Sequence, residues 1–80
     1  MNKEELHSAM LNSYDIIVKD YDAGLIMEKR GAWFAHDIYN PIDLEDIEGL
    51  IMYFEDEEDY EKCLELKKVI DRIWNTDPIN

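Results

Sequence analysis

The chain has 80 residues, which is the size of one domain, and its composition of 46% hydrophobic and 11% aromatic residues favours a packed core over disorder. Its 20 acidic and 8 basic residues give a formal net charge of −12. A protein with this charge repels nucleic acid and anionic membranes, so direct binding to either is not expected.

The cysteine count and the N-terminus bear on the compartment. Cys63 is the single cysteine, which excludes an intramolecular disulfide, whereas small secreted domains often contain several. The N-terminal residues 1–6 lack the apolar segment of a signal peptide, and no apolar run approaches the roughly 20 residues that span a bilayer. We therefore expect a reduced, soluble protein of the cytoplasm.

The first predicted element is a helix over about residues 3–22. Asn2 followed by Glu5 is typical of a capping box, in which each side chain accepts a hydrogen bond from the other residue's backbone. Gly24 is the expected left-handed residue that ends the helix. Spacings of three and four residues predict an amphipathic stripe. The stripe consists of Leu6, Met10, Tyr14, Ile17 and Tyr21.

The next stretch, residues 25–39, has no single clear pattern. Two short apolar runs, 25–27 and 32–35, flank the sequence Glu28-Lys29-Arg30-Gly31. The glycine-containing connection favours a two-stranded β-hairpin. A short helix or an irregular segment packed on the core fits the same residues, and an isolated hairpin would need support from helices.

A second helix is predicted over about residues 43–55, after the break at Asn40-Pro41. Asp43 is the expected N-cap, with Ile42 and Ile47 as the flanking hydrophobic pair. Gly49 costs a helix about 1 kcal/mol relative to alanine, so we expect a neighbour to approach closely there. The predicted buried stripe consists of Ile47, Leu50, Ile51 and Phe54.

A third helix is predicted over about residues 59–75. Acids are favourable at the start of a helix and unfavourable at its end, so the break between the two helices falls within residues 55–59. The apolar face of this helix consists of Tyr60, Cys63, Leu64, Leu66, Ile70, Ile73 and Trp74. The expected fold is therefore mainly α, a three-helix domain with a C-terminal antiparallel helical hairpin and a short β-hairpin or irregular segment at about 25–39.

The predicted hairpin contains a recognisable order of residue types: an acid–aromatic–acid step, a small pair, a leucine, a base and an isoleucine. These positions are filled by Asp59, Tyr60, Glu61, Cys63, Leu64, Leu66, Lys67 and Ile70. Residues 47–73 thereby resemble the UVR motif, a helical hairpin of bacterial excision-repair proteins and some protease adaptors. The resemblance implies a protein-contact hairpin. Phe54 and Leu64 are bulky where the motif favours alanine, so we expect the inner face of the hairpin to pack on the chain's own first helix.

The whole profile, short, acidic and poor in cysteine, is similar to small acidic accessory proteins of tailed bacteriophages. That likeness implies an interaction module that binds one host or phage protein and regulates it, as an inhibitor or adaptor. No lysine or arginine lies between Arg30 and Lys62, while eleven acids do, so the expected partner has a basic surface. The candidate contact residues are Trp33, Phe34, Asp46, Glu55, Asp56, Glu57, Glu58 and Asp59.

Two other functions fit the same composition. The acidic surface could imitate nucleic acid and antagonise a basic DNA- or RNA-binding protein, whose complex would then weaken in salt and be displaced by DNA. Alternatively, apolar stripes could meet across a symmetry axis in a structural homo-oligomer, the simplest of which is a homodimer.

Catalytic and metal chemistry find little support. His7 and His36 are far apart in sequence and Cys63 is alone, which does not match a zinc site. The acidic run 55–59 is contiguous and has no glycine, unlike a calcium-binding EF-hand loop. We therefore expect no enzyme activity, no metal and no cofactor. His36 with Asp37 is expected to form a hydrogen-bonded loop pair, and Cys63 to be a buried structural thiol.

Overall fold

Four helices make up the regular structure of this chain. The computed structural model describes residues 2–31 and 33–74. Its helices are α1 (Lys3–Lys19), α2 (Ala23–Arg30), α3 (Leu44–Asp56) and α4 (Tyr60–Trp74). The mainly helical fold and the C-terminal hairpin of α3 and α4 are as predicted. The described residues contain no strand, and α2 occupies most of the region where a β-hairpin was the favoured reading.

Helix α1 begins as predicted and ends earlier. The Glu5 backbone N–H donates to Asn2 Oδ1 (2.8 Å) and the Asn2 N–H donates to Glu5 Oε1 (3.0 Å), which completes the capping box. The helix ends at Lys19 because Asp20 adopts a left-handed conformation (φ 60°), which aspartate tolerates better than most residues. The predicted stop at Gly24 is therefore wrong.

Helix α2 explains where Gly24 lies instead. Asp22 is the N-cap of α2, and its carboxylate accepts the backbone N–H groups of Gly24 (2.7 Å) and Leu25 (3.3 Å). Ile26 is the buried side chain of this short helix. Two aspartates, one ending α1 and one starting α2, thus form the corner that the sequence pattern assigned to a glycine.

The core lies between the α3–α4 hairpin and α1, which packs against both helices. The Tyr14 ring of α1 meets the Phe54 ring of α3 edge-on, with centroids 5.8 Å apart, a geometry that aromatic pairs prefer. The stripe predicted for α3 is buried throughout, which confirms it. The buried cluster consists of Tyr14, Ile47, Leu50, Ile51, Phe54, Cys63, Leu66 and Val69.

The apolar face of α4 is narrower than predicted. Cys63 and Leu66 are buried, but Tyr60 and Leu64 are 64% and 55% exposed. Phe54 packs against α1 as expected for a bulky inner-face residue, whereas Leu64 does not and that expectation is wrong. The reason is geometric: Leu64 lies two residues before Leu66, about 200° around the helix and so on the opposite side.

The turn between α3 and α4 falls inside the acidic run, as predicted. Glu58 has φ 61°, and its backbone N–H donates to Glu55 O (3.0 Å) while the Asp59 N–H donates to Phe54 O (2.8 Å). These two bonds form a Schellman motif, which satisfies the last carbonyls of α3. Glycine usually occupies the left-handed position of this motif, and glutamate occupies it here.

Gly49 has no close neighbour in this chain. A Cβ atom built at Gly49 would meet no described heavy atom within 4 Å beyond its own helix backbone. The expected close approach is therefore wrong for the folded chain itself. The position is exposed, so glycine lowers helix propensity there without a packing reason within the described residues.

Candidate protein-binding surface

The tip of the α3–α4 hairpin carries four consecutive exposed acids, Glu55 to Glu58, which we call the acidic tip. None of them forms an ion pair with another described residue. The neighbouring Asp59 differs, because its carboxylate pairs with Lys62 Nζ at 2.8 Å and accepts the Lys62 backbone N–H at 3.4 Å. The bond from Lys62 lowers the pKa of Asp59, and the same bond raises the pKa of Lys62.

The acidic tip lies where the backbone of α3 disfavours negative charge. The C-terminal end of a helix carries a partial negative charge, and the last turn of α3 contains no base to balance it. Glu58 adds the cost of a left-handed backbone at a residue with a side chain. The start of α4 lies close by and offsets part of this cost, since acids are favourable before a helix.

Asp46, another predicted contact residue, has a structural role at the other end of α3. Its backbone N–H donates to Asp43 Oδ1 (3.0 Å), and its own Oδ2 accepts the Asp43 N–H (3.4 Å). Nine residues separate Asp46 from Glu55, which corresponds to about 14 Å along the helix axis. The structure therefore separates Asp46 from the acidic tip and employs it in a capping box.

Trp33 and Phe34 lie in a segment without regular structure that buried polar side chains of α1 hold in place. Asn12 Nδ2 donates to the Trp33 carbonyl (3.0 Å), and Ser13 Oγ accepts the Ala35 backbone N–H (2.8 Å). Asn12 and Ser13 are 1% and 0% exposed. Trp33 itself is 40% exposed, so an aromatic side chain is presented to solvent on a firmly anchored backbone.

Arg30 ties the end of α2 to the same part of α1. Its guanidinium donates to Asp15 Oδ2 (2.7 Å) and Asn12 Oδ1 (3.2 Å). Sequence reasoning missed the roles of Asn12, Ser13 and Asp15, because polar residues within one helical turn normally indicate a solvated face. A usable signal existed: apolar residues occur on more than one side of α1, which indicates a helix covered on both sides.

The acidic tip and Trp33 lie on different sides of α1. Tyr53, one turn before the tip, meets α1 at His7, where its hydroxyl lies 2.6 Å from His7 Nδ1. Asn12, which holds Trp33, follows His7 by five residues and so points about 140° away around the helix. The predicted contact residues therefore form two surfaces, the acidic tip and the Trp33–Phe34 segment, with α1 between them.

His36 and Asp37 make separate hydrogen bonds. His36 Nδ1 lies 2.7 Å from Ser13 Oγ, and burial lowers the pKa of His36. Asp37 accepts the Tyr39 backbone N–H (2.9 Å) and the side-chain amide of Asn40, which together lower the pKa of its carboxyl. The expected bond between His36 and Asp37 does not form, because each side chain supports a different part of the segment.

Cys63 is a buried thiol, as predicted. It is 3% exposed, and its Sγ lies 3.5 Å from the Ile51 carbonyl oxygen as a weak donor. Burial raises the pKa of the thiol, which disfavours the nucleophilic thiolate. Within residues 2–31 and 33–74, no group of three or more histidines, cysteines and acids is arranged to hold a metal ion. The helices described in this range are all too short or too polar to cross a membrane.

Comparison of the chain with protein-family models, with curated proteins and with solved structures found no match in any of the three searches. The candidate surface therefore has to be interpreted from its own geometry and charge.

Proposed function

We propose that this protein is an interaction module that binds one partner protein with a basic surface and regulates it, as an inhibitor or adaptor. The observation that carries this proposal is the acidic tip. Glu55 to Glu58 are exposed, make no ion pair with a described residue, and lie at a helix end that disfavours negative charge. Residues that lower stability without a compensating contact are best explained by a role outside the folded chain.

Trp33 supports a second contact on the same partner or on another face of it. Exposed tryptophans are among the side chains that contribute most to protein interfaces. The backbone of Trp33 is already held by Asn12, so less conformational entropy is lost when a partner covers the ring. This pre-organisation favours a binding role over a chance exposure.

The resemblance of residues 47–73 to a UVR hairpin also supports a contact role for this part of the chain. The phage-like profile adds the proposal that the partner is a host or phage protein. Neither resemblance supports DNA repair chemistry, because the proposal needs only a docking surface.

The experiment is affinity purification of the tagged full chain from a lysate of the source cell, with crosslinking, followed by binding measurements on the recovered protein. We expect Glu57→Gln with Glu58→Gln to weaken binding about tenfold, and affinity to fall between about 50 and 500 mM salt. Glu28→Gln with Glu45→Gln removes the same charge from exposed positions elsewhere and should change affinity less than about twofold.

Two results would overturn the proposal. One is recovery of no specific protein even after crosslinking. The other is equal affinity of the tip variant and the control variant for the recovered protein. Displacement of that protein by DNA would identify the nucleic-acid-mimicking form of this function, and regulation is tested by the partner's own activity with and without the chain.

A further inference from the structure

Exposed apolar side chains line the face of the α3–α4 hairpin that points away from α1. Tyr60 and Leu64 are one turn apart on α4 and are 64% and 55% exposed. Lys62, whose Nζ lies 5.5 Å from the Tyr14 ring centroid, marks the opposite side of α4, which faces α1. Met52 on α3 is 67% exposed. Because α1 covers only the other side, this outer face has no partner within the described part of the chain.

The outer face combines these apolar residues with a rim of acids. Glu48 and Glu55 lie four residues before and three residues after Met52, on neighbouring positions of the same helix face. Both are exposed, and neither pairs with a described base. A central apolar strip with an acidic rim is complementary to a helix that has apolar residues on one side and lysines or arginines beside them.

We propose that the outer face, defined by Met52, Tyr60 and Leu64 with Glu48 and Glu55, is the docking site for a basic amphipathic helix of the partner. Methionine suits such a site, since its flexible thioether adapts to different apolar side chains. Tyr60 supplies a large contact area with a polar tip that can stay in water. The apolar strip gives affinity, and the rim sets the charge and direction of the bound helix.

A second copy of this chain fits the outer face less well. Each chain carries a net charge of −12, and a symmetric pair would bring the acidic rims of two copies together. Charges of the same sign directly opposed across an interface disfavour association. Charge complementarity therefore selects a basic partner over self-association.

This inference rests on the proposed function for the sign of the partner's charge, but it is tested separately. The probe is a synthetic peptide of about 18 residues, made of leucine and lysine in amphipathic helical order. A second peptide has the same composition in scrambled order, so that the two differ in amphipathicity and not in charge. Binding of both to the full chain is measured by calorimetry.

We expect the amphipathic peptide to bind wild-type protein about tenfold more tightly than the scrambled one, the amount that burial of one large apolar side chain supplies. Met52→Ser with Leu64→Ser should abolish this difference. Leu25→Ser with Tyr39→Ser replaces two apolar residues that are 55% and 83% exposed elsewhere, and should preserve it. Urea titrations establish that both variants remain folded.

Equal affinity for the two peptides, or equal loss in both double variants, would overturn the inference. So would a wild-type dimer in sedimentation that Met52→Ser with Leu64→Ser converts to a monomer, because a second copy would then occupy the outer face. Failure of the proposed function is a different result: the recovered partner would be indifferent to Glu57→Gln with Glu58→Gln.

Discussion

At the scale of single residues, buried polar side chains decide how the irregular segment is held. Asn12, Ser13 and Asp15 lie within one turn of α1 and are all buried. Their side chains have hydrogen-bond partners, and no buried side-chain nitrogen or oxygen of the described residues lacks one. A polar group buried without a partner is costly, so this set is sensitive to substitution.

Asn12→Ala is expected to lower the free energy of unfolding by about 2 kcal/mol, because the Trp33 carbonyl and the Arg30 guanidinium each lose a partner. Urea denaturation measures the change. Ser8→Ala, at an exposed position of the same helix, is the control and should change stability by less than about 0.5 kcal/mol. A similar effect from both would contradict the anchoring role of Asn12.

His36 is expected to make stability depend on pH. Because burial lowers its pKa below the ordinary value of 6.5, the folded protein binds the proton less tightly than the unfolded chain. The free energy of unfolding should therefore fall as pH drops through 6.5 and level off below the folded pKa. Asp46 and Asp37 carry negative charge nearby and reduce this effect.

His36→Asn tests that dependence, since the asparagine amide can still bond Ser13 but does not titrate. Urea titrations between about pH 8 and 5 should show a smaller decline for the variant than for the wild type. The same decline in both proteins would assign the pH dependence to other groups.

At the scale of elements, the α3–α4 hairpin is optimised at its start and not at its tip. The capping box of Asp43 and Asp46 stabilises the first turn of α3. The last turn of α3 has acids without a base, and the turn itself has a glutamate in a left-handed conformation. Two single substitutions should therefore stabilise the hairpin, which is common in proteins whose sequences also serve binding.

Glu58→Gly is expected to raise the free energy of unfolding by about 1 kcal/mol, because glycine adopts the φ of 61° without a clash and the tip loses one charge. Glu57→Gly is the matched control, since Glu57 has φ −82° and gains nothing from glycine. Thermal unfolding of both variants is the measurement. A lower melting temperature for Glu58→Gly would contradict the strain argument.

Gly49→Ala is expected to raise the free energy of unfolding by about 0.5–1 kcal/mol, because alanine has the higher helix propensity and the added Cβ meets open space. Chemical denaturation is the test. Glu48→Ala, at the neighbouring exposed position, should change stability by a smaller amount. Destabilisation by Gly49→Ala would mean that an unseen neighbour restricts this position.

At the scale of the whole molecule, α1 is the central element. Its one side meets the α3–α4 hairpin through Tyr14 and His7. Its other side holds Trp33 and the following residues through Asn12 and Ser13. This arrangement leaves the acidic tip and the outer face of the hairpin open, and it keeps the Trp33–Phe34 segment apart from them.

The net charge of −12 should make stability increase with salt. Raising NaCl from about 10 to 300 mM screens repulsion among the acids, so the melting temperature is expected to rise. Glu57→Gln with Glu58→Gln should reduce the size of that rise. A melting temperature that falls with salt would mean that ion pairs such as Arg30 with Asp15 outweigh the repulsion.

The sequence by itself determined the features that depend on a few neighbouring residues. The caps at Asn2 and Asp43, the break within 55–59 and the buried stripe of α3 follow from local hydrogen bonding and helical periodicity, and the structure confirms them. The binding role of the predicted contact residues stays a prediction.

The tertiary structure alone decided which surfaces are covered. It replaced the β-hairpin by α2, turned Leu64 outward, buried Asn12 and Ser13, and separated Trp33 from the acidic tip. These outcomes depend on contacts between residues distant in the chain, such as the 21-residue separation of Asn12 and Trp33. Periodicity reports that a side chain is apolar or polar, whereas burial depends on which other element reaches it.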